Sequence, residues 1–257
     1  MDFIGNSLHS VTWATSFIAL GILFGVANIK SLPFYHTIQT IPSFYRLLKP
    51  RFSKRLNGSA EAFPAGFATL FKHYATNSRA TITDLDINIH KSNSTFFLDA
   101  DTNRAALLTK LLSEGLAVTG PAIFILAAVT CRFRQEIRPF QAYTVSSRIL
   151  AWNDQALYVV TYFLKPGVRL PVELDVLGSP SAVLKDDKFR KSVFATMVTK
   201  YVFKAGRRTV LPEDILRSSG LLSRDGNDVS GDKAAYGAER IDCAIQNGLE
   251  YVRGCME

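Results

Sequence analysis

One short run of the sequence, residues 84–104, holds the side chains whose types and spacing best suit chemistry. Asp86, His90 and Asn93 stand just before or at the start of a predicted helix. Backbone N–H groups at a helix start, together with the positive end of the helix dipole, can polarise a carbonyl or stabilise a developing oxyanion. A carboxylate beside them can attack a thioester directly or activate water. Asp86 fits either role, although Asp and Asn before a helix are also common as ordinary caps and turns.

The helix that positions these side chains is predicted over residues 92–113. Ser92 or Asn93 can cap its start, apolar residues recur at helical spacing, and Gly115 can end it. One long helix followed by antiparallel strands predicts an α+β fold in which a sheet wraps a central helix. Runs rich in β-branched and aromatic residues indicate the strands, over 123–137, 142–164 and 192–204.

The segments between and after these strands carry turn and linker signals. Asn153 and Asp154 separate two apolar stretches, as a hairpin turn does. Residues 165–191 interrupt the strands, contain Pro166, Pro171 and Pro180, and are predicted to form a long loop. A polar, glycine-containing stretch then leads into a last helix, predicted over about 233–252.

The run around Asp86 resembles the active segment of hotdog thioesterases of the 4-hydroxybenzoyl-CoA type. That segment reads approximately D-x-D-x-x-G-H-x-N-N-x-x-Y, followed by an acidic-x-x-Arg pair. Three positions depart from the pattern, because Ile89 replaces the glycine, Ser92 the first asparagine and Phe96 the tyrosine. The positions that fit it are Asp84, Asp86, His90, Asn93, the aromatic Phe96, Asp101 and Arg104.

The resemblance extends over roughly residues 65–215. Within the family, the N-terminal hydrophobic segment and the long insertion are most similar to fungal thioesterase-like proteins of lipopeptide and polyketide clusters, such as the leucinostatin-cluster family. They also resemble animal thioesterase superfamily member 6. This implies a hotdog fold, a homodimer or larger assembly whose neighbour completes each pocket, and hydrolysis of an acyl-CoA or carrier-protein-bound polyketide or lipid acyl chain in fungal secondary metabolism.

The resemblance also implies roles for individual residues. Asp86 matches the catalytic carboxylate, as nucleophile or general base, while His90 either orients the thioester or holds the loop. Asn93 belongs to the site or only caps the helix, and Phe96 with Phe97 is expected to contact substrate. We expect Asp101 and Arg104 to form an ion pair on the helix surface or at an interface. No metal or other cofactor is expected.

The chain is basic, with 30 Lys and Arg against 22 Asp and Glu and a pI near 9.4, which favours anionic partners. No nucleic-acid motif accompanies this charge, so nucleic acid is not an expected partner. Lys188 and Arg190 border the long insertion and are predicted to meet coenzyme A phosphates or the acidic face of an acyl carrier protein. A solvated charged loop is the alternative. The three widely spaced cysteines argue against a disulfide framework or zinc cluster and favour a reducing compartment.

The N-terminal region contains an uncharged run over 11–26 that, extended to Ile29, reaches the ~17–25 residues needed to cross a bilayer. We therefore expect a membrane anchor over 1–32 and a basic, aromatic juxtamembrane linker over 33–62. Basic residues after the run place the catalytic domain in the cytosol, as a single-pass protein. A buried helix and a cleaved signal peptide are the alternatives. The hotdog domain then covers 63–222, and a linker with a helix covers 223–257.

Other functions remain open at this point. A hotdog hydratase or dehydratase uses Asp-x-Asn-Pro-x-His, which residues 86–90 imitate without the proline and with His90 one residue early. A polyketide cyclase or similar tailoring enzyme would use the same pocket. A non-catalytic, membrane-bound acyl-binding protein would keep only the fold. A serine-hydrolase thioesterase is excluded because no G-x-S-x-G motif occurs.

Overall fold

The computed structural model describes residues 2–53, 67–120, 122–168, 170, 180–222 and 232–256. Within them, an antiparallel six-stranded sheet has the order β1-β3-β4-β5-β2, with β6 beside β5. The strands are β1 (Tyr74–Arg79), β2 (Ala122–Phe133), β3 (Ala142–Trp152), β4 (Leu157–Leu164), β5 (Val193–Ala205) and β6 (Arg208–Val210). The helices are α1 (Asp2–Ala27), α2 (Tyr35–Ser53), α3 (Phe67–Leu70), α4 (Asn93–Val118), α5 (Pro180–Lys185), α6 (Asp187–Arg190), α7 (Pro212–Ser218) and α8 (Asp232–Met256).

Helix α4 is the predicted central helix. Leu108, Leu112 and Leu116 recur every four residues on one face and are fully buried against the sheet. The helix continues past the predicted end because Gly115 packs against α7 instead of capping it. A Cβ at Gly115 would lie 2.3 Å from the carbonyl oxygen of Ile215, which is too close for any residue except glycine. The α+β layout, with an antiparallel sheet curled around a long helix, is the predicted hotdog arrangement.

The strand predictions are confirmed for β2, β3, β4 and β5. The turn between β3 and β4 is also as predicted, since the Asn153 side-chain oxygen accepts hydrogen bonds from the N–H groups of Gln155 (3.0 Å) and Ala156 (2.9 Å). Strand β1 was not predicted. It is short and mostly polar, and it pairs along the edge of β3.

The sheet is covered on both faces, so every residue of β4 is buried. Leu157 and Val159 point to the α4 side, whereas Tyr158 and Val160 pack in a second core with Tyr251 of α8. The close approach of α8 to β3 takes place at Gly248, where a Cβ would lie 2.7 Å from the Leu150 carbonyl oxygen. The C-terminal helix is therefore confirmed and covers the outer face of the sheet.

The predicted membrane anchor is wrong. Among the helices whose residues the structure describes, none has the length and apolarity that a membrane crossing requires. After α1 the chain enters the folded domain at once, because Asn28 is only 3% exposed and Lys30 is held by two carboxylates. The predicted single-pass membrane topology and the predicted membrane partner are wrong for the same reason.

Much of the predicted juxtamembrane linker is helix α2, which packs against α4. Leu47 of α2 packs against the same core as Leu108. Residues 54–62 of the predicted linker lie outside the described residues, as do 171–179 of the predicted long loop. The described part of that loop includes α5 and α6. The division of the chain into domains stays a prediction.

Candidate active site

The loop that carries Asp86 is a tight turn between β1 and α4. The Asp86 N–H donates to the His90 carbonyl oxygen (2.9 Å), and the Ile89 N–H donates to the Asp86 carbonyl oxygen (3.0 Å). Ile89 has a φ of 59°, in the left-handed region that β-branched residues rarely adopt. This is the position at which the thioesterase motif has glycine, so the backbone keeps the glycine conformation after the side chain has changed.

Asp86 and His90 face each other across this turn. The Asp86 Oδ2 atom lies 3.3 Å from His90 Nδ1, and the two side chains are 28% and 27% exposed. The other carboxylate oxygen accepts a hydrogen bond from the Asn88 N–H (2.9 Å). The Asp86 carboxylate is thus oriented by two contacts and still open to solvent.

His90 opens onto a cleft of about 290 Å³ between the start of α4 and the end of β2. Phe96 forms its floor, since this ring is 2% exposed and its centroid lies 5.2 Å from that of Phe133 in an edge-to-face contact. Asn93, the first residue of α4, is exposed at the rim. The described residues around the cleft are His90, Lys91, Asn93, Phe96, Phe133, Arg134, Gln135 and Glu136.

Three residues predicted to bind substrate do not line this cleft. Phe97 is partly buried and packs with the core around Phe96. Lys188 and Arg190 are exposed on α6, where Arg190 pairs with Asp187 (2.6 Å). The cleft and this basic segment are nevertheless connected, because the Gln135 side chain at the rim donates to the Lys191 carbonyl oxygen (3.0 Å).

A buried charge cluster lies on the other side of the same loop. Lys91 Nζ is 2.9 Å from Asp99 Oδ2 and 3.9 Å from Asp84 Oδ2, and the Lys91 side chain is fully buried. Lys30 Nζ is 2.9 Å from Asp99 Oδ1 and 3.2 Å from Asp84 Oδ2. The Tyr143 hydroxyl of β3 donates to Asp99 and accepts from Lys30 (3.0 Å). The cluster thereby joins the segment after α1, the loop, α4 and β3.

Burial and charge oppose each other within the cluster. Burial lowers the pKa of Lys91, although the Asp99 carboxylate acts in the opposite direction. Burial alone would raise the pKa of Asp99, but the Lys91 and Lys30 ammonium groups hold it below its usual value. Burial and the neighbouring Asp99 raise the pKa of Tyr143. Two lysine side chains therefore face two aspartate side chains in a largely buried site.

Sequence reasoning missed this cluster. Lys91, Thr95 and Asp99 are four residues apart, a helical spacing that could have indicated contact, and Lys91 Nζ does donate to Thr95 Oγ1 (2.9 Å). Lys30 and Tyr143 come from distant parts of the chain, and no local pattern links them to the loop.

The prediction for Arg104 needs correction. Its contact with Asp101 is long (3.8 Å), and its side chain is 1% exposed instead of lying on the helix surface. The guanidinium points into the sheet and donates to the Tyr201 hydroxyl (3.0 Å) and Thr199 Oγ1 (3.0 Å). Arg104 therefore anchors α4 to β5.

Comparison with known proteins gives consistent matches. A sequence profile of the thioesterase-like superfamily matches residues 80–218. Thioesterase poxG from Penicillium oxalicum is 35% identical over 234 residues, which cover 85% of this chain and 74% of that protein. Probable thioesterase atnL from Emericella nidulans is 32% identical over 287 residues, which cover 95% and 88%. Protein THEM6 from Xenopus laevis is 29% identical over 96 residues, which cover 37% and 46%.

Proposed function

The chain belongs to the thioesterase-like superfamily, as its motif predicted, and on this premise we propose that Asp86 carries the hydrolysis of acyl thioesters by this enzyme. The observation that supports Asp86 is its 3.3 Å contact with His90, which itself lines the cleft at the start of α4. A carboxylate with this exposure can reach a substrate, which a buried carboxylate such as Asp99 cannot.

Two routes are open to Asp86. In the direct route, a carboxylate oxygen attacks the thioester carbonyl carbon, the thiolate leaves, and water hydrolyses the resulting anhydride. In the indirect route, the carboxylate takes a proton from the water molecule that attacks the carbonyl, and the tetrahedral intermediate then expels the thiolate, which takes up that proton. Both routes place negative charge on the carbonyl oxygen. The N–H groups in the first turn of α4, at Asn93, are suited to stabilise that charge, and His90 orients the carboxylate.

We propose an acyl-CoA or carrier-protein thioester as substrate, with a lipid or polyketide acyl group of fungal secondary metabolism. The fungal origin of poxG and atnL supports this choice. The phosphates of the group that carries the acyl chain would lie near Lys188 and Arg190. The Gln135 side chain at the rim of the cleft donates a hydrogen bond to Lys191, the residue that follows Arg190, and so connects the two regions. Phe96 and Phe97 would contact the acyl group.

We also propose a homodimer formed through β2. In the described part of the chain, β2 pairs only with β5, so its other edge has open backbone N–H and C=O groups. Apolar side chains accompany this edge, since Ile123, Ile125 and Leu126 are each 41–45% exposed. An open edge with apolar side chains is a surface that pairing with a second copy would cover.

The test is to incubate the purified protein with a panel of acyl-CoA and acyl-carrier-protein thioesters and to measure free thiol. Wild type should release thiol, Asp86→Asn should release at least about 10²-fold less, and Asp101→Asn should match wild type. Asp101 is the matched control because it is an exposed carboxylate on the neighbouring helix. Undiminished turnover by Asp86→Asn would remove this residue from the mechanism. Tight binding of thioesters without thiol release would favour an acyl-binding protein.

A further inference from the structure

Several basic side chains come together next to the cleft, at the end of β2. Two belong to the strand and the residue just after it, two to α6 and the residue that follows it, and one to the last turn of α8. All of them are exposed to solvent. We call this group the basic surface, and its members are Arg132, Arg134, Lys188, Lys191 and Arg253.

Hydrogen bonds bring the three parts of the basic surface together. The Gln135 side chain donates to the Lys191 carbonyl oxygen (3.0 Å), so the segment after α6 lies against the end of β2. Arg132 Nη2 donates to the Gly254 carbonyl oxygen (3.0 Å), so the last turn of α8 lies against the same strand. Arg134 lines the cleft itself. The basic surface therefore begins at the cleft and continues away from it.

The charge of the basic surface is not cancelled by ion pairs. Arg190 is not part of it, because its guanidinium pairs with Asp187 (2.6 Å). Among the residues that the structure describes, no member of the basic surface forms an ion pair with a carboxylate. The exposed acidic residues nearest in sequence are fewer than these cations, and they are Glu136, Asp186 and Glu250. An excess of exposed positive charge attracts anionic partners.

The Tyr251 hydroxyl, near the end of α8, reports the same positive charge. Burial raises the pKa of Tyr251, whereas the charges of Arg132 and Arg134 act against the rise. Both guanidinium groups therefore lie close enough to α8 to act on one side chain of that helix. This agrees with the hydrogen bond from Arg132 to Gly254.

The extent of the basic surface favours a protein partner over coenzyme A alone. Gln135 and Arg132, which bind its two ends, are three residues apart, roughly 10 Å along an extended chain. Lys191 lies at one of these ends and Arg253 at the other. Coenzyme A concentrates its negative charge in a few phosphates, whereas a carrier protein presents acidic side chains distributed over a surface.

We propose that the basic surface docks the acidic face of an acyl carrier protein, so that the cleft receives its acyl thioester from a protein. This proposal rests on the thioester hydrolysis proposed above and names the partner of that site. Arg134 lies where the basic surface meets the cleft, so the phosphopantetheine arm of a docked carrier would enter the cleft from this side. Attraction of this kind mainly speeds the encounter, and salt weakens it because the Debye length is ~10 Å at 0.1 M.

The test compares hydrolysis of one acyl group, hexanoyl, from an acidic acyl carrier protein, from coenzyme A and from N-acetylcysteamine, which has no phosphate. The double variant Lys191→Glu/Arg253→Glu reverses two charges outside the cleft. It should lower kcat/KM for the hexanoyl carrier protein about tenfold or more, through KM, and change the other two substrates less than about twofold. Added salt should lower the wild-type value for the carrier protein towards that of the variant.

The matched control is Arg207→Glu/Arg208→Glu, which changes the net charge by the same amount. These exposed arginines follow the far end of β5 from Lys191, and the control should behave as wild type on all three substrates. Binding of the carrier protein without an acyl group, measured by biolayer interferometry, does not depend on catalysis. It should weaken about tenfold in the Lys191→Glu/Arg253→Glu variant and stay unchanged in the control.

The other outcomes separate the docking proposal from the hydrolase function. An equal loss for carrier protein and coenzyme A would assign the basic surface to the phosphates that both contain, and would overturn the docking of a protein. A loss on all three substrates, or on none, would overturn it as well. Absence of thiol release from every substrate would instead overturn the hydrolase function, and carrier binding would still decide the role of the basic surface.

Discussion

Asp84 and Asp86 are two residues apart in one loop, yet their environments are opposite. The Asp84 carboxylate is 9% exposed and faces Lys30 and Lys91. It also accepts a hydrogen bond from the Thr81 N–H (3.0 Å). The Asp86 carboxylate is 28% exposed and has one weakly basic neighbour, His90. The same residue type thus serves as a structural anchor on one side of the loop and as the candidate catalytic group on the other.

This difference shows how an exposed reactive group, the Asp86 carboxylate, can be held in place. A solvent-exposed polar contact such as Asp86–His90 contributes little to stability because solvent screens it. The buried cluster beneath it fixes both ends of the loop, through Asp84 before the turn and Lys91 after it. Within residues 84–91, the substitutions that lower stability should therefore differ from those that lower catalytic turnover.

The largest effect is expected from the buried side of the loop. Lys91→Met leaves Asp99 and Asp84 with a single ammonium group, and should lower the free energy of unfolding by about 3–5 kcal/mol. Urea denaturation measures this loss. Lys188→Met, an exposed lysine on α6, is the control and should stay within about 0.5 kcal/mol of wild type. Equal midpoints for the two variants would mean that the cluster does not hold the loop.

The exposed side should give the converse result. Asp86→Asn should reduce turnover at least about 10²-fold, which corresponds to about 2.7 kcal/mol in the activation barrier, while urea stability stays within about 0.5 kcal/mol. Asp84→Asn should instead destabilise the protein, because it leaves Lys30 and Lys91 facing one carboxylate. If both variants lost both stability and turnover, the two aspartates would not have the separate roles proposed for them.

Lowering the pH should weaken the buried charge cluster. The pKa of Asp99 is held below its ordinary value of 3.8, so its contribution to stability is fully present above that pH and is lost as pH falls through the lower, folded value. Each unit of depression contributes about 1.4 kcal/mol. Urea midpoints should therefore decline as pH falls from 5 to about 2.5, and the decline should be smaller in Lys91→Met, because without Lys91 the pKa of Asp99 lies closer to its unfolded value. A decline identical in both proteins would show that Lys91 does not depress this pKa.

The smallest expected effect concerns the backbone of the exposed turn. Ile89→Gly should raise the free energy of unfolding by about 0.5–1 kcal/mol, because relief of the left-handed conformation outweighs the entropy cost of glycine. Thermal or urea unfolding measures it. Ile87→Gly is the control, since Ile87 is 95% exposed and does not have a positive φ, and it should give no gain. A loss in both variants would indicate that the turn carries no strain at Ile89.

Sequence was sufficient where the decisive forces are local. Apolar residues at helical spacing predicted α4, β-branched and aromatic runs predicted the long strands, and Asn153 with Asp154 predicted the turn between β3 and β4. The family motif brought Asp86, His90 and Asn93 to one region, and His90, Asn93 and Phe96 line one cleft. Their catalytic and binding roles stay predictions.

The rest required contacts between distant parts of the chain. Lys30 bonds to Asp84, 54 residues away, and to Tyr143, 113 residues away, and neither distance leaves a periodic signal. An apolar run followed by basic residues indicated a membrane anchor, because the sequence does not reveal that Lys30 has buried carboxylate partners. Arg104 was placed on the surface for the same reason, since its partners lie on β5.

The packing of α8 against the outer face of the sheet also bears on how the chain is made. Because α8 follows β5 in the chain, the ribosome completes the sheet before the helix that covers it has emerged. Until α8 docks, Tyr158 and Val160 of β4 lack the cover of Tyr251, and an apolar face left open in this way is of the kind that makes nascent chains aggregate. Docking of α8 therefore removes an apolar surface that the growing chain would otherwise leave exposed.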